Sequence, residues 1–170
     1  MVKEKNLMIT YILVSGGHAA EAMKIAAKLN SKVSGSYIVF KGDATTKHHI
    51  PNNDAAVEIP ECFREIRYKN IAAICHGFLW CMPCLFKSIW ALKKLHTDLV
   101  IATGSGPALI PLLAAKILHR KIVFIELTCR VKTLSLCGWL AYYFFADLFF
   151  VQWNSLQKKY PRSIYAGRLV

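Results

Sequence analysis

Apolar residues are grouped along the chain in short runs that alternate with amphipathic stretches. The first run, Leu7–Val14, is mostly apolar and partly β-branched, which predicts a strand buried on both faces. The turn Ser15–His18 follows, and Ala19–Asn30 then places most of its apolar residues on one side of a helix. A strand, a glycine turn and a helix in immediate succession predict the first half of a βαβ unit.

The same alternation continues to the end of the chain. Further strands are predicted at Ser36–Phe40, Ala55–Ile59, Asp98–Thr103, Lys121–Ile125, Leu148–Val151 and Ser163–Ala166. The polar segment between the second and third strands predicts a surface loop, and a helix is predicted after Gly104–Pro107. This alternation indicates an α/β fold, a Rossmann-like parallel sheet with helices on both faces. The length of 170 residues predicts one domain, residues 1–170.

The turns predict a binding crevice. In an open parallel sheet, ligands bind outside the carboxyl ends of the strands, where the strand order reverses. We expect the first strand beside the fourth, which brings the first corner, Ser15–His18, next to the second corner, Gly104–Pro107. Each corner precedes a helix, whose first N–H groups lack partners and whose dipole favours an anion. The two glycine corners therefore predict one site for a phosphate-bearing ligand.

The charge distribution agrees with an anionic partner. The net charge is +12, and residues 101–170 contain nine Lys or Arg against two acids, Glu126 and Asp147. Such an excess favours a nucleic acid, an anionic membrane surface or a phosphorylated ligand. Nucleic acid is disfavoured because the basic residues are scattered and no zinc-finger, basic-zipper or aromatic RNA-binding motif occurs.

The six cysteines favour reduced thiols in a protein that faces the cytosol, since they form no regular array and no signal peptide is present. Cys81 and Cys84 form a C-x-x-C in an apolar, helix-like run, where four converging metal ligands are not expected. No cofactor is expected either. A dinucleotide site would need G-x-G-x-x-G and an acid after the second strand, where Lys41 follows Phe40. A P-loop motif is absent as well.

The segment Asn70–Phe86 has 17 residues without Asp, Glu, Lys or Arg, close to the length of a membrane span. His76, Gly77 and Pro83 interrupt it, which favours a helix in residues 70–95 that lies at a bilayer interface. The side chains predicted to contact the bilayer are Phe78, Leu79, Trp80 and Trp90. A buried crossover helix and a membrane-spanning helix are the alternatives.

Several ordered motifs resemble one family. VSGGHAAEAMKI, DLVIATGSGPALIPLLAAKIL, IELTCRVKTLSLCGWL and FFVQWNSLQKKYPRSIYAGRLV resemble the membrane-recruiting subunit of the two-chain UDP-N-acetylglucosamine transferase of dolichol-linked oligosaccharide synthesis. More distantly, the chain resembles the N-terminal domain of the bacterial peptidoglycan GlcNAc transferase. It also resembles the two-chain exopolysaccharide glycosyltransferases, although CRVKTLSLCG favours the eukaryotic subunit.

The resemblance implies the N-terminal, acceptor-side half of a GT-B glycosyltransferase, active only with a partner chain that brings most of the UDP-GlcNAc site. The implied reaction inverts the anomeric centre and moves GlcNAc to the 4-hydroxyl of GlcNAc-diphosphate-dolichol. It would take place at the cytosolic face of the endoplasmic reticulum. A subunit of a bacterial exopolysaccharide transferase and a nucleotide-binding regulatory module are the alternative functions.

The resemblance and the predicted crevice together assign roles to residues. His18 is the candidate base, and Glu126 either orients the sugar or replaces His18 as the base. The candidate ligands of the acceptor diphosphate are Ser15, Gly16, Gly17, Gly104, Ser105, Gly106 and Arg130. The terminal residues Leu169 and Val170 would bind the catalytic partner. Family members commonly carry an N-terminal membrane helix, whereas six residues precede Leu7 here, so peripheral attachment is expected.

Overall fold

The computed structural model describes residues 7–29, 33–51, 54–61 and 71–169, with the side chains of the long third helix described from Cys81 onward. The strands are β1 (Met8–Leu13), β2 (Ser34–Phe40), β3 (Ala55–Ile59), β4 (Leu99–Thr103), β5 (Lys121–Ile125), β6 (Leu148–Val151) and β7 (Ile164–Tyr165). The helices are α1 (Gly17–Leu29), α2 (Ala44–His48), α3 (Ile71–Lys94), α4 (Leu109–Ile117), α5 (Leu136–Leu140) and α6 (Asn154–Lys159). A 3-10 turn at Gly106–Ala108 leads into α4, and a π-helix at Ala141–Phe145 continues α5.

All seven strands form one parallel sheet in the order β3-β2-β1-β4-β5-β6-β7. Strands β2 and β3 follow β1 toward one edge of the sheet. After α3, β4 pairs with the other side of β1, and β5, β6 and β7 follow toward the opposite edge. The strand order therefore reverses between β1 and β4, where Ile9 is in register with Leu99 and Ile12 with Ala102. The predicted Rossmann-like α/β fold and the predicted β1–β4 pairing are confirmed.

The sheet is covered on both faces, as its continuous apolar strands require. Ile12 and Val14 point into a core shared with α3 and α4, whereas Tyr11 and Leu13 point into a core shared with α1. Because successive side chains of a strand alternate between faces, one strand contributes to both cores. The carboxyl ends of β1 and β4 are thereby held between two packed layers.

One local prediction was wrong. The segment after β2, expected to be a surface loop, contains the short helix α2. The side chain of Asp43 accepts a hydrogen bond from the backbone N–H of Thr46 at 3.1 Å and caps this helix. Thr46 is buried, so tertiary contact stabilises a turn of helix in a segment whose composition is typical of a loop.

Candidate active site

The two glycine corners lie side by side at the carboxyl edge of the sheet. Since β1 and β4 are hydrogen-bonded neighbours, Ser15–His18 and Gly104–Pro107 leave the sheet at adjacent positions. The hydroxyl of Thr103, at the end of β4, donates to the backbone oxygen of His18 at 3.0 Å. This hydrogen bond joins the strand that carries the second corner directly to the first corner.

The first corner begins α1 with backbone N–H groups that have no acceptor within the helix. Gly16 has φ +83°, a left-handed conformation that favours glycine. Its carbonyl accepts from the N–H groups of Ala19 and Ala20 at 3.1 and 3.3 Å, which starts α1. The N–H groups of Gly17 and His18 have no acceptor within the helix because they belong to its first turn. A Cβ built on Gly17 meets nothing within 4 Å, so the space before the corner is free of described protein atoms.

The second corner is held in place by a hydrogen bond from α5. Ser105 is extended and partly exposed, Gly106 is exposed, and Pro107 starts the 3-10 turn without losing a helical hydrogen bond. The thiol of Cys137, in α5, donates to the backbone oxygen of Ser105 at 2.9 Å. Burial raises the pKa of this thiol to about 12, so Cys137 stays neutral and acts as a donor. The corner is thus held to α5 while its outer surface stays open.

The carboxylate of Glu126, just after β5, is fully buried and surrounded by donors. Oε1 accepts from the N–H of Leu127 and Oε2 from the N–H of Ser135, both at 3.1 Å. The hydroxyl of Ser135 lies 3.1 and 3.2 Å from the two carboxylate oxygens and accepts from the N–H of Gly138 at 2.9 Å, which caps α5. Burial raises the pKa of Glu126, while these hydrogen bonds and Arg130 lower it. Glu126 therefore ties the loop after β5 to α5.

Two glycines make room for this carboxylate. A Cβ added at Gly138 would overlap Oε2 of Glu126, and a Cβ added at Gly104 would lie 3.0 Å from Oε1. The backbones of α5 and of the second corner approach the carboxylate as closely as they do because neither position carries a side chain.

His18 lies in the first turn of α1 and is partly buried. Burial is the largest influence on its imidazole and lowers its pKa; the carboxylate of Glu21 raises that pKa, and the guanidinium of Arg130 lowers it. The ring is therefore neutral near pH 7. Its Nδ1 is buried and has no hydrogen-bond partner among the described residues. A neutral imidazole can accept a proton from a hydroxyl group that lies within hydrogen-bond distance.

Arg130 reaches the same crevice from the loop after β5, where it is exposed. Its charge lowers the pKa of both His18 and Glu126, so its guanidinium is within electrostatic range of both groups. Among the residues that the structure describes, no group of His, Cys, Asp or Glu side chains could hold a metal ion. The groups near the corners therefore include the imidazole of His18 and the guanidinium of Arg130.

Comparison with known proteins assigns the chain to a family. Residues 9–169 match the family described as "Oligosaccharide biosynthesis protein Alg14 like". The chain belongs to this family. The rat protein named UDP-N-acetylglucosamine transferase subunit ALG14 is 30% identical over 184 residues, covering 98% of this chain and 84% of the rat protein. The protein of the same name from Candida albicans is 31% identical over 191 residues, covering 99% of this chain and 83% of that one.

Solved structures show the same fold at low sequence identity. Acinetobacter baumannii MurG superposes with a TM-score of 0.70 at 16% identity, over 95% of this chain and 44% of the MurG chain. HepE of Anabaena in complex with UDP superposes with a TM-score of 0.56 at 18% identity, over 96% of this chain and 42% of HepE. This chain corresponds to somewhat less than half of these GT-B-type proteins. The family and the half-GT-B fold suggested by the sequence resemblance are confirmed.

Sequence reasoning missed two polar residues of the crevice. Glu21 follows His18 by three positions and so shares its face of α1, and its Oε1 accepts from the N–H of Thr128 at 3.4 Å. Gln152 is 1% exposed at the end of β6 and donates from Nε2 to the backbone oxygen of Glu126 at 3.1 Å. A polar residue at the carboxyl end of a buried parallel strand was the available signal for Gln152.

The C-terminal tail lies on its own domain. The backbone N–H of Leu169 donates to Oε1 of Gln152 at 3.3 Å, and its backbone oxygen accepts from Nζ of Lys28 at 3.1 Å. The side chain of Leu169 packs against the core beneath α1. Val170 lies outside the described residues. The contact of both residues with a partner stays a prediction.

The predicted membrane surface is described in part. The side chains of Phe78, Leu79 and Trp80 lie outside the described residues, although the three positions are helical within α3. Trp90 is 49% exposed, and the exposed residues Met82 and Phe86 precede it at intervals of four, on one side of the helix. No helix in the described part of the chain is long and apolar enough to cross a membrane.

Two lysines lie beside Trp90, the last of these exposed apolar side chains. The Nζ atoms of Lys87 and Lys94 lie 5.4 and 4.9 Å from the ring centroid of Trp90. A second exposed apolar group lies on α5 and the π-helix and consists of Leu136, Trp139, Tyr143 and Phe144. Exposed aromatic side chains flanked by lysines are typical of proteins that sit at a membrane interface.

The close contact between Glu126 and Gly138 predicts that a methyl group added at Gly138 lowers the stability of the fold. Gly138→Ala should destabilise the fold by about 1–3 kcal/mol, because the new Cβ must displace a buried, hydrogen-bonded carboxylate. The matched control is Gly106→Ala, whose Cβ meets nothing within 4 Å. Urea denaturation of both variants measures the difference. Equal stability of the two variants would contradict this description of Glu126.

Proposed function

We propose that this chain is the acceptor-binding half of a two-chain transferase whose donor half is a separate protein. Through its family, the chain is a subunit of the UDP-N-acetylglucosamine transferase of dolichol-linked oligosaccharide synthesis, in the N-glycosylation pathway of the endoplasmic reticulum. It has a GT-B-like fold but only the length of one GT-B half. A partner that brings the UDP-GlcNAc site would complete the second half, and GlcNAc-diphosphate-dolichol is the acceptor proposed for this half.

The hydrogen bond between Thr103 and the backbone oxygen of His18 is the observation that carries the proposal. It holds the two glycine corners together, and we propose that the N–H groups before α1 and at Ser105–Gly106 bind one ligand between them. A diphosphate carries charge that such N–H groups and the dipole of α1 stabilise. The exposed Arg130, whose charge lowers the pKa of His18, adds a positive charge near the first corner. The proposed anion is therefore bound mainly by backbone groups.

His18 is the proposed base for the acceptor hydroxyl. Its imidazole is neutral, lies next to the first corner and has a buried Nδ1 without a described partner. Attack by the 4-hydroxyl on the anomeric carbon of the donor releases a proton, and a neutral imidazole can take it while UDP leaves. Glu126 is fully buried with both oxygens occupied by donors from Leu127 and Ser135. We therefore assign Glu126 to positioning of the loop that carries Arg130, not to proton transfer.

The proposed membrane attachment is peripheral and cytosolic. The stripe Met82, Phe86 and Trp90 would enter the interfacial region, and the lysines that flank Trp90 would contact anionic headgroups. The lipid of the acceptor reaches the crevice from the same membrane. Leu169 and Val170 are the proposed contacts with the donor-binding chain.

The diphosphate proposal is tested in the transferase assembled by co-expression with its partner. Gly17→Ala and Gly106→Ala place a methyl group in the open space before each corner, where it meets no described protein atom. Each should raise the KM for a short-chain GlcNAc-diphosphate lipid about tenfold, since one charge-assisted hydrogen bond contributes about 1.5–3 kcal/mol. The KM for UDP-GlcNAc serves as the internal control and should not change. Unchanged acceptor kinetics in both variants would exclude diphosphate binding at the corners.

The proposed base predicts a specific loss of turnover. His18→Ala should reduce kcat by about 10²–10⁴-fold, whereas His48→Ala, which alters an exposed histidine of α2, should have no effect. Because the pKa of His18 is lowered, the fall of wild-type kcat/KM on acidification should begin at a lower pH than for an ordinary histidine, since the base is protonated there. That acidic limb should be absent from the residual activity of His18→Ala. Wild-type turnover of His18→Ala would rule out this role.

The membrane proposal is tested by vesicle flotation. Phe86→Ser combined with Trp90→Ser should reduce binding to phosphatidylserine-containing vesicles at least tenfold, because burial of each large apolar side chain contributes about 1.5–3 kcal/mol. Leu29→Ser is the matched control, since Leu29 is exposed on α1, on the opposite face of the sheet. Binding of the wild type should also weaken with salt. Equal flotation of the double variant and the control would contradict attachment through α3.

A further inference from the structure

Gln152 connects three separate parts of the chain with one side chain. Its Nε2 donates to the backbone oxygen of Glu126 at 3.1 Å and to Oε2 of Glu21 at 3.4 Å. Its Oε1 accepts from the backbone N–H of Leu169 at 3.3 Å. The partners belong to the loop after β5, to α1 and to the C-terminal tail. An amide is suited to this position because it offers a donor group and an acceptor group together.

One of these partners acts directly on the proposed base. Glu21 lies one turn after His18 on α1, and its carboxylate raises the pKa of His18, while burial and Arg130 lower it. The N–H of Thr128 and the amide of Gln152 both donate to the carboxylate of Glu21 and hold it in place. A change in the position of the Gln152 amide would therefore move the Glu21 carboxylate and change its electrostatic effect on His18.

The tail reaches the same group of residues through a second contact. The guanidinium of Arg168 lies 4.6 Å from the ring centroid of Trp153, and the indole N–H of Trp153 donates to the backbone oxygen of Thr128 at 2.6 Å. Gly167 has φ +82°, which turns the chain toward these contacts. The last described residues thus contact Gln152 directly and Thr128 through Trp153.

We propose that Gln152 is a positioning residue that couples the seating of the C-terminal tail to the crevice, through Glu21 to His18. This inference rests on the proposed function of His18 and of the tail, and it adds that the crevice is set for reaction only while the tail lies against Gln152. Binding of a partner at the tail would then influence turnover as well as assembly.

A double-mutant cycle in the assembled transferase tests this coupling. Gln152→Met keeps the volume of the side chain but removes all three hydrogen bonds. Leu169→Pro removes the backbone N–H that Gln152 accepts, at a position where loss of the whole fold is not expected. Each change should lower kcat about tenfold with little change in acceptor KM, and the double variant should lose no more than either single variant. Losses that multiply in the double variant would overturn the proposal.

The pH profile separates positioning from general destabilisation. When Gln152 no longer holds Glu21 near His18, the carboxylate should raise the pKa of His18 less, so the acidic limb of kcat/KM should move to lower pH in Gln152→Met. Gln157→Met is the matched control, because Gln157 donates to the backbone oxygen of Ser163, within the α6–β7 region. An unshifted limb in Gln152→Met contradicts the coupling.

Leu169→Pro removes the backbone N–H and should shift the limb as Gln152→Met does, while Gln157→Met should retain the wild-type limb and turnover. This pair decides the question even if Gln152→Met does not fold. A wild-type complex that transfers no GlcNAc would contradict the proposed function itself. An active complex with separable, additive losses would contradict only the role of Gln152.

Discussion

The crevice depends on a carboxylate that water does not reach. Burial of Glu126 would be costly if its oxygens lacked donors, because an unpaired buried charge loses its hydration without replacement. Two backbone N–H groups and one hydroxyl provide that replacement, and they come from the loop after β5 and the start of α5. Satisfying this single group therefore fixes the loop that carries Arg130, the orientation of α5 and, through the thiol of Cys137, the second glycine corner.

The first corner is fixed by the sheet itself. β1 lies between β2 and β4, and Thr103 joins its outgoing turn to the neighbouring strand. Strand pairing therefore fixes the geometry of the first corner, whereas the buried carboxylate of Glu126 fixes that of the second through α5. For the proposed diphosphate, two corners held in this way would form a preorganised site, since the protein would not have to rearrange when the ligand binds.

The sequence was sufficient for those features that follow from local pattern and chain topology. Apolar runs predicted the strands, and the rule on strand-order reversal predicted that the two corners lie together. It was not sufficient for α2, since burial of Thr46 and capping by Asp43 depend on the surrounding structure. Nor could it show the depth of Glu126 or the three contacts of Gln152, because such hydrogen bonds join residues as many as 131 positions apart. Position after a strand predicted that Glu126 faces the crevice region but not that its oxygens are occupied.

The position of Leu169 shows the same limitation. The family resemblance implied that Leu169 and Val170 contact a partner chain, and the backbone of Leu169 is bound by Lys28 and Gln152 of its own chain. Periodicity and composition describe what a segment can bury, and they do not specify which surface covers it. A proposed partner would therefore meet a tail that is already ordered on α1 and β6.

The close approach of Gly104 and Gly138 to Glu126 has a consequence for the inheritance of these positions. The three residues occupy one shared volume, so an alanine in place of Gly138 becomes compatible with the fold only if the acid at position 126 is shortened or its carboxylate moves away. Across descendants of a common ancestor, these positions should change in concert or not at all, and a lineage that has lost the acid should be free to lose the glycines as well.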